Sequence, residues 1–180
     1  FIDSGDTNIG RVQYDHSANS LSFRANDITA MTIDSIGAVT KPLQPAFLAG
    51  GIDGSQNNVT VDSIVTVKYN NERFDQNLDF NTSTYTFTGK YYLHGQVYVN
   101  GVDSAATYYS LRIETSNQSY ISIYNYTDSD LNYITFQIDA LADMDASDTA
   151  TVRFYQAGGT AQTDIQDSVA YTFFCGHLVC

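Results

Sequence analysis

The chain has 180 residues, 43% hydrophobic and 16% charged, with 14 Tyr and 10 Phe but no Trp; this is a globular composition, long enough for one domain with a proper core plus a small appendage. Its 20 acidic residues outnumber its 8 basic ones and leave a net charge of -12, which excludes a nucleic-acid binder working through clustered phosphate contacts. No apolar run approaches the roughly 20 residues of a membrane helix, so membrane insertion is not expected, and a chain opening on Phe1 instead of Met is expected to be a processed product or a fragment.

Residues 1–44 read as a separate segment. Short alternating strands are predicted at 11–16, 20–25 and 30–34, divided by turns at Ser17–Asn19, Asn26-Asp27 and Ser35–Gly37. They offer too few apolar side chains for an independent core, so the segment needs a partner. Residues 39–45 carry Pro42 and Pro45 and read as a linker, because proline cannot join a central ladder.

The second segment, 45–180, begins with a short strand at 45–49 and a longer one at 59–70, ending at an Asn70-Asn71 turn. The most informative stretch is 80–100, read as two strands around a turn at Thr88–Lys90. In its second strand Tyr91, Leu93, Val97 and Val99 share one face, and Lys90, Tyr92, His94, Gln96 and Tyr98 share the other. Strand side chains alternate, so this is a half-buried strand with an apolar inner face. Its outer face carries aromatics in place of a row of charges, which predicts a cover. Asn100-Gly101 signals a hairpin into a strand at 107–115. Further strands follow at 120–126, 131–139 and 149–156, and 140–150 has the one composition suited to a short helix. The last strand, 168–179, is apolar on both faces, as expected of a strand covered on both sides.

Around ten short strands in this segment predict an all-β sandwich or jelly roll. The three histidines, His16, His94 and His177, sit in no triad-like sequence context, and no catalytic residue is assigned. Calcium takes six to eight oxygens from loop carboxylates and carbonyls; Asp128, Asp130, Asp145 and Asp148 are the candidate ligands, and no other cofactor is expected. Cys175 and Cys180 lie on opposite faces of one strand, poor geometry for a bridge within it; reduced thiols or a bridge between chains are both open. Tyr120, Tyr124, Tyr126 and Tyr133 are candidate receptor-binding aromatics, against a reading in which they pack at a subunit boundary.

Pro45, Ala46 and Phe47, then Asn70 with Phe74 and Phe80, then Tyr85, Phe87, Gly89, Tyr91 and Leu93, and finally Phe173, Gly176 and Leu178 are spaced as in the globular head of complement component 1q, which shares the tumour-necrosis-factor jelly roll. Thr82–Thr84 stand where that family often has proline. Residues 1–44 resemble the segment before the tip domain in bacteriophage tail fibres. The resemblance implies a ten-stranded jelly roll assembling as a homotrimer, with Tyr92, Tyr98, Phe174 and Leu178 at the interface, preceded by a small β-strand stalk. It implies a non-enzymatic tip of a viral tail or surface fibre, carried on the virion, whose partners are its own copies and a polysaccharide or protein receptor on the host cell. The alternative is a secreted complement 1q-like recognition protein or lectin.

Overall fold

The computed structural model describes residues 9–52, 54–76, 81, 89–125, 128–145 and 148–179. The chain divides into two compact units, Phe1–Gln44 and Pro45–Cys180, and the described residues contain strands and turns but no helix.

The first unit is one antiparallel sheet in the order β1-β2-β3-β4, formed by β1 (Gly10–Asp15), β2 (Ser20–Ala25), β3 (Ile28–Ile33) and β4 (Val39–Thr40). Asn26 and Asp27 both have positive φ, 52° and 60°, the backbone of a two-residue hairpin turn whose twist matches that of the flanking strands. The predicted linker is corrected at its start: Val39 and Thr40 pair with Ile33 and Thr32. The register places Val12 beside Phe23 and Met31, and Tyr14 beside Leu21, Ile33 and Val39. Ala25 sits beside Ile28 on that same side. The opposite face holds Arg11, Gln13, Asp15, Ser20, Ser22, Arg24, Thr29 and Thr32.

The second unit is a sandwich of ten described strands. They are β5 (Ala46–Ile52), β6 (Val65–Thr66), β7 (Tyr69–Gln76), β8 (Gly89–Val102), β9 (Tyr108–Thr115), β10 (Ser119–Tyr124), β11 (Leu131–Met144), β12 (Ala150–Ala157), β13 (Asp164–Ile165) and β14 (Phe173–Leu178). One sheet runs β10-β9-β12-β6; the other runs β11-β8-β14-β5-β7, with β13 also pairing β8. The inner faces meet on an aromatic core in which Phe136 lies 5.7 Å from Tyr109 and 5.6 Å from Phe154, ring centre to ring centre. Phe174 packs on Phe47 at 5.2 Å and on Tyr69 at 5.9 Å. Each such ring, fully buried, contributes about 1.5–3 kcal/mol by leaving water. The sheets approach so closely at Gly95 that a Cβ there would stand 2.8 Å from Val152 Cγ2.

Four expectations about elements change. The predicted strand at 59–70 is split between the sheets: β6 pairs with β12, while β7 pairs with β5 and runs through the predicted Asn70-Asn71 turn. Asn100-Gly101 makes no hairpin; β8 continues to Val102 opposite Leu131, and the chain then crosses to the other sheet. Gly101, at φ +72°, lies within the strand. Met144 ends a strand in the stretch offered for a helix. The turn at Thr88–Lys90, Phe80, and the residues Thr82–Thr84, Tyr85 and Phe87 of the resemblance lie wholly or partly outside the described residues.

The two ends of the sandwich differ. Leu178 N–H donates to the Pro45 carbonyl (2.9 Å) and Val179 N–H to that of Lys90 (2.7 Å), so the chain enters and the last strand finishes at one end. The loops around Gly54, Asp103, Ser129 and Gly159 lie at the other.

Candidate functional site

The outer face of the larger sheet can be read row by row from the register. Leu141, Tyr92, His177 and Ala46 form one row, and Asp139, His94, Cys175, Leu48 and Phe74 the next. Gln137, Gln96, Phe173 and Gly50 form a third. Beyond them Tyr98 stacks on Tyr133 at 5.5 Å and meets Tyr171 at 5.3 Å. Much of this face is apolar and open: Leu141 is 64% exposed, Tyr133 59%, Tyr171 54% and Phe74 49%. Large contiguous apolar patches on one chain mark contact surfaces.

A small polar cluster sits inside the patch. The Tyr92 hydroxyl donates to the Asp139 carboxylate, and His94 Nδ1–H donates to Asp139 Oδ1 at 2.7 Å. The Tyr92 hydrogen bond, then that of His94, holds the Asp139 carboxyl below the usual range against a partial burial that raises it. The same bond pushes Tyr92 up. Burial, with a smaller contribution from Asp139, pushes up the Cys175 thiol. Cys175, His94 and Asp139 thus share a row, but a raised thiol pKa is the opposite of what a nucleophilic thiolate needs.

The sign of the pH effect follows. A carboxyl whose folded pKa lies below its unfolded value near 3.9 stabilises the fold fully above that value and loses the contribution as pH falls through the folded pKa. Asp139→Asn is therefore expected to unfold at a pH-independent offset above about pH 5 and to lose less stability than the parent below about pH 4. Chemical unfolding followed from pH 7 to pH 3 measures this, and parallel curves would remove Asp139 from the account. With its side chain 54% exposed, the effect is small in a single chain.

The structure redistributes the sequence candidates. Tyr92 and Tyr98 lie on this outer face. Phe174 and Leu178 do not, and this is a correction: Phe174 is fully buried among Phe47 and Tyr69, and Leu178 packs against the same core. The odd residues Phe173, Cys175 and His177 face outward instead. The strand is apolar on both sides, so alternation alone cannot assign its faces. Cys180 lies outside the described residues.

Of the receptor-binding candidates, Tyr120 and Tyr124 are also corrected. They turn inward, with Tyr124 edge-on to Phe136 at 4.7 Å, while Ile121 and Ile123 on the same strand stand exposed. Their hydroxyls reach across to β11, the outermost strand of the larger sheet. The Tyr120 O–H donates to the Leu141 carbonyl (3.1 Å). The Tyr124 O–H donates to the Gln137 carbonyl, and its oxygen accepts the Gln137 N–H at 3.1 Å. A tyrosine with an acceptor in reach buries its ring more readily than its exposed neighbours suggest. Tyr126 lies outside the described residues, and Tyr133 joins the aromatic face described above.

The calcium candidates do not assemble. Asp130 and Asp145 flank a 14-residue strand, which puts them roughly 50 Å apart along it at about 3.3 Å per residue. Asp130 accepts from Ser104 N–H (2.9 Å) and Oγ–H (2.7 Å). Asp148 accepts from Asp145 N–H (2.7 Å) and Asn117 Nδ2–H (2.6 Å). Asp128 adds no third ligand to either end, since among the described residues no three metal-ligating side chains converge.

Sequence reasoning missed the group that organises the far end. Asp103, only 5% exposed, accepts from the backbone N–H groups of Ala105 (2.8 Å), Thr160 (2.5 Å) and Ala161 (2.7 Å). The two loop hydrogen bonds and that of Ala105 hold its carboxyl low. Buried Gln156 adds a second clamp. Its Nε2–H donates to the Gly158 and Ala161 carbonyls, and its Oε1 accepts from Thr163 N–H and Oγ1–H. Asp62 accepts from Gly158 N–H at 2.9 Å. An acid four residues into the stretch that opens with Asn100-Gly101 was the available signal; the Gly158-Gly159 pair that it meets is distant in sequence.

The larger sheet facing a smaller one across an aromatic core, with the chain entering and leaving at one end, is the jelly roll of tumour-necrosis-factor and complement 1q heads. The globular domain of zebrafish complement 1qA protein superposes with a TM-score of 0.53 at 17% identity, over 76% of this chain and 98% of that one. Murine APRIL gives 0.53 at 12%, over 76% and 99%, and the Eiger TNF of S. frugiperda 0.52 at 12%, over 78% and 94%. No family model matches the chain, and no curated protein matches it in sequence.

Proposed function

We propose that this chain forms the homotrimeric tip of a viral tail or surface fibre, a non-enzymatic attachment protein that acts outside the host cell. The observation that carries the reading is the open aromatic face of the larger sheet, from Leu141 across Tyr92 and Leu48 to Phe74. A face of this kind is stable in water when copies of the chain cover one another. The loops at the end opposite Pro45, clamped by Asp103 and Gln156, then point away from the chain's point of entry and present the recognition surface. Three copies of a weak loop contact give avidity that one lacks. A net charge of -12 keeps assembled heads apart from one another in solution.

The test is solution mass by light scattering on the purified chain, followed by binding to intact candidate host cells. A mass near three times 19.9 kDa with saturable binding is the expected result. A monomer overturns the assembly. A trimer that binds no bacterial cell but binds immune complexes or glycans of animal origin transfers the chain to the secreted recognition class.

A further inference from the structure

The sheet of the first unit has one face without a single charge and the other without a single large apolar side chain. Val12, Tyr14, Leu21, Phe23, Met31 and Ile33 line the first, joined at its margin by Ile28 and Val39. Yet none of the described residues of this unit is fully buried, and Val12 remains 65% and Val39 56% exposed. A single-layer sheet of this size does not hold together in water with its apolar side uncovered.

We infer that the apolar face of residues 10–40 packs against the same face of the other copies of this chain, three sheets enclosing a dry core about one axis. The inference rests on the self-association proposed above and specifies a second surface for it. Two observations favour copies of the chain as the cover. The first is charge. A chain with a net charge of -12 resists meeting itself, and here Asp15 and the Arg24–Asp27 ion pair at 2.8 Å belong to the opposite face or the turn, so the faces meet without opposing like charges. The second is area. Three six-residue strands and one two-residue strand, at about 4.8 Å between strands and about 3.3 Å per residue, cover roughly 300 Å² in plan. Two copies would enclose roughly 600 Å² in plan, well short of a stable pairwise interface, whereas three bring roughly 900 Å² into one common core.

The test uses the full chain with Cys175→Ala and Cys180→Ala, adding either Met31→Cys, on the apolar face, or Thr32→Cys, its neighbour on the polar face. Facing sheets pack about 10 Å apart, within reach of a short bifunctional maleimide. The expected result is loss of most of the monomer band to covalent dimers on a denaturing gel for Met31→Cys, and retention of the monomer band for Thr32→Cys. Equal crosslinking of both variants, or of neither, in material that scatters light as a trimer overturns this inference and leaves the assembly of heads standing. A monomer whose introduced thiol at position 31 resists alkylation means that the chain's own second unit covers the face, and overturns both.

Discussion

Replacing Asp103 with alanine is expected to lower the unfolding free energy by about 3 kcal/mol. Three backbone N–H groups, of Ala105, Thr160 and Ala161, lose a charged acceptor at once. Hydrogen bonds to ionised groups contribute about 1.5–3 kcal/mol each, and water entering at the surface of the loops recovers part of the loss. Asp103→Asn should recover little. Both carboxylate oxygens accept from backbone N–H groups, so either orientation of the amide turns its NH₂ toward a donor. Gly159 tightens the constraint, since a Cβ on it would lie 2.7 Å from Asp103 Oδ2 and its φ is +102°. The contribution belongs to the ionised form, so it is complete above the unfolded carboxyl value near 3.9 and fades as pH falls through the lower folded value. Urea unfolding of parent and variant at pH 7 measures the difference. A loss below about 1 kcal/mol would mean that the loops are held by Gln156 and Asp62 without Asp103.

Leu141→Asp is expected to convert a particle near three times 19.9 kDa into a monomer while leaving the head folded. In the single chain Leu141 is 64% exposed, and surface substitutions of that kind stay within about 0.5 kcal/mol. In an assembly that covers the face, the same change buries an unpaired carboxylate in each of three subunits, beside Asp139 and Asp143, at several kcal/mol per site. Ile123→Asp is the matched control, for Ile123 is 63% exposed but stands on the outer side of the smaller sheet. Light scattering and thermal unfolding of both variants separate assembly from fold. If Ile123→Asp dissociates the particle and Leu141→Asp does not, the wrong sheet has been assigned.

The alternation of β8 was legible because its inner side chains, Tyr91, Leu93, Val97 and Val99, differ sharply from Lys90, His94 and Gln96. The Asn26-Asp27 turn was legible because few other residue pairs adopt two positive φ values cheaply. The faces of β14 and β10 were not. Phe173 and Phe174 are chemically equivalent, as are Ile123 and Tyr124 to a hydrophobicity pattern, and only the neighbouring strand decides which turns inward. For Tyr124 the decision rests on a Gln137 carbonyl 13 residues away in sequence. The hairpin signal at Asn100-Gly101 is local, and pairing along the whole length of β11 overrides it. Asp139 carries no sequence signal at all. One acid on a strand becomes notable only when Tyr92 and His94 are found around it.

The hydroxyls of Tyr120 and Tyr124 have a further consequence. The rim of β11 is an open row of carbonyls and amides, the template on which sheets of separate particles join into indefinite ribbons. With Leu141 and Gln137 already engaged from within the same molecule, a foreign strand must break those bonds before it can add there. In the assembly proposed above, heads that gather by their faces and refuse one another at this rim would form a closed particle whose number of copies does not grow with concentration.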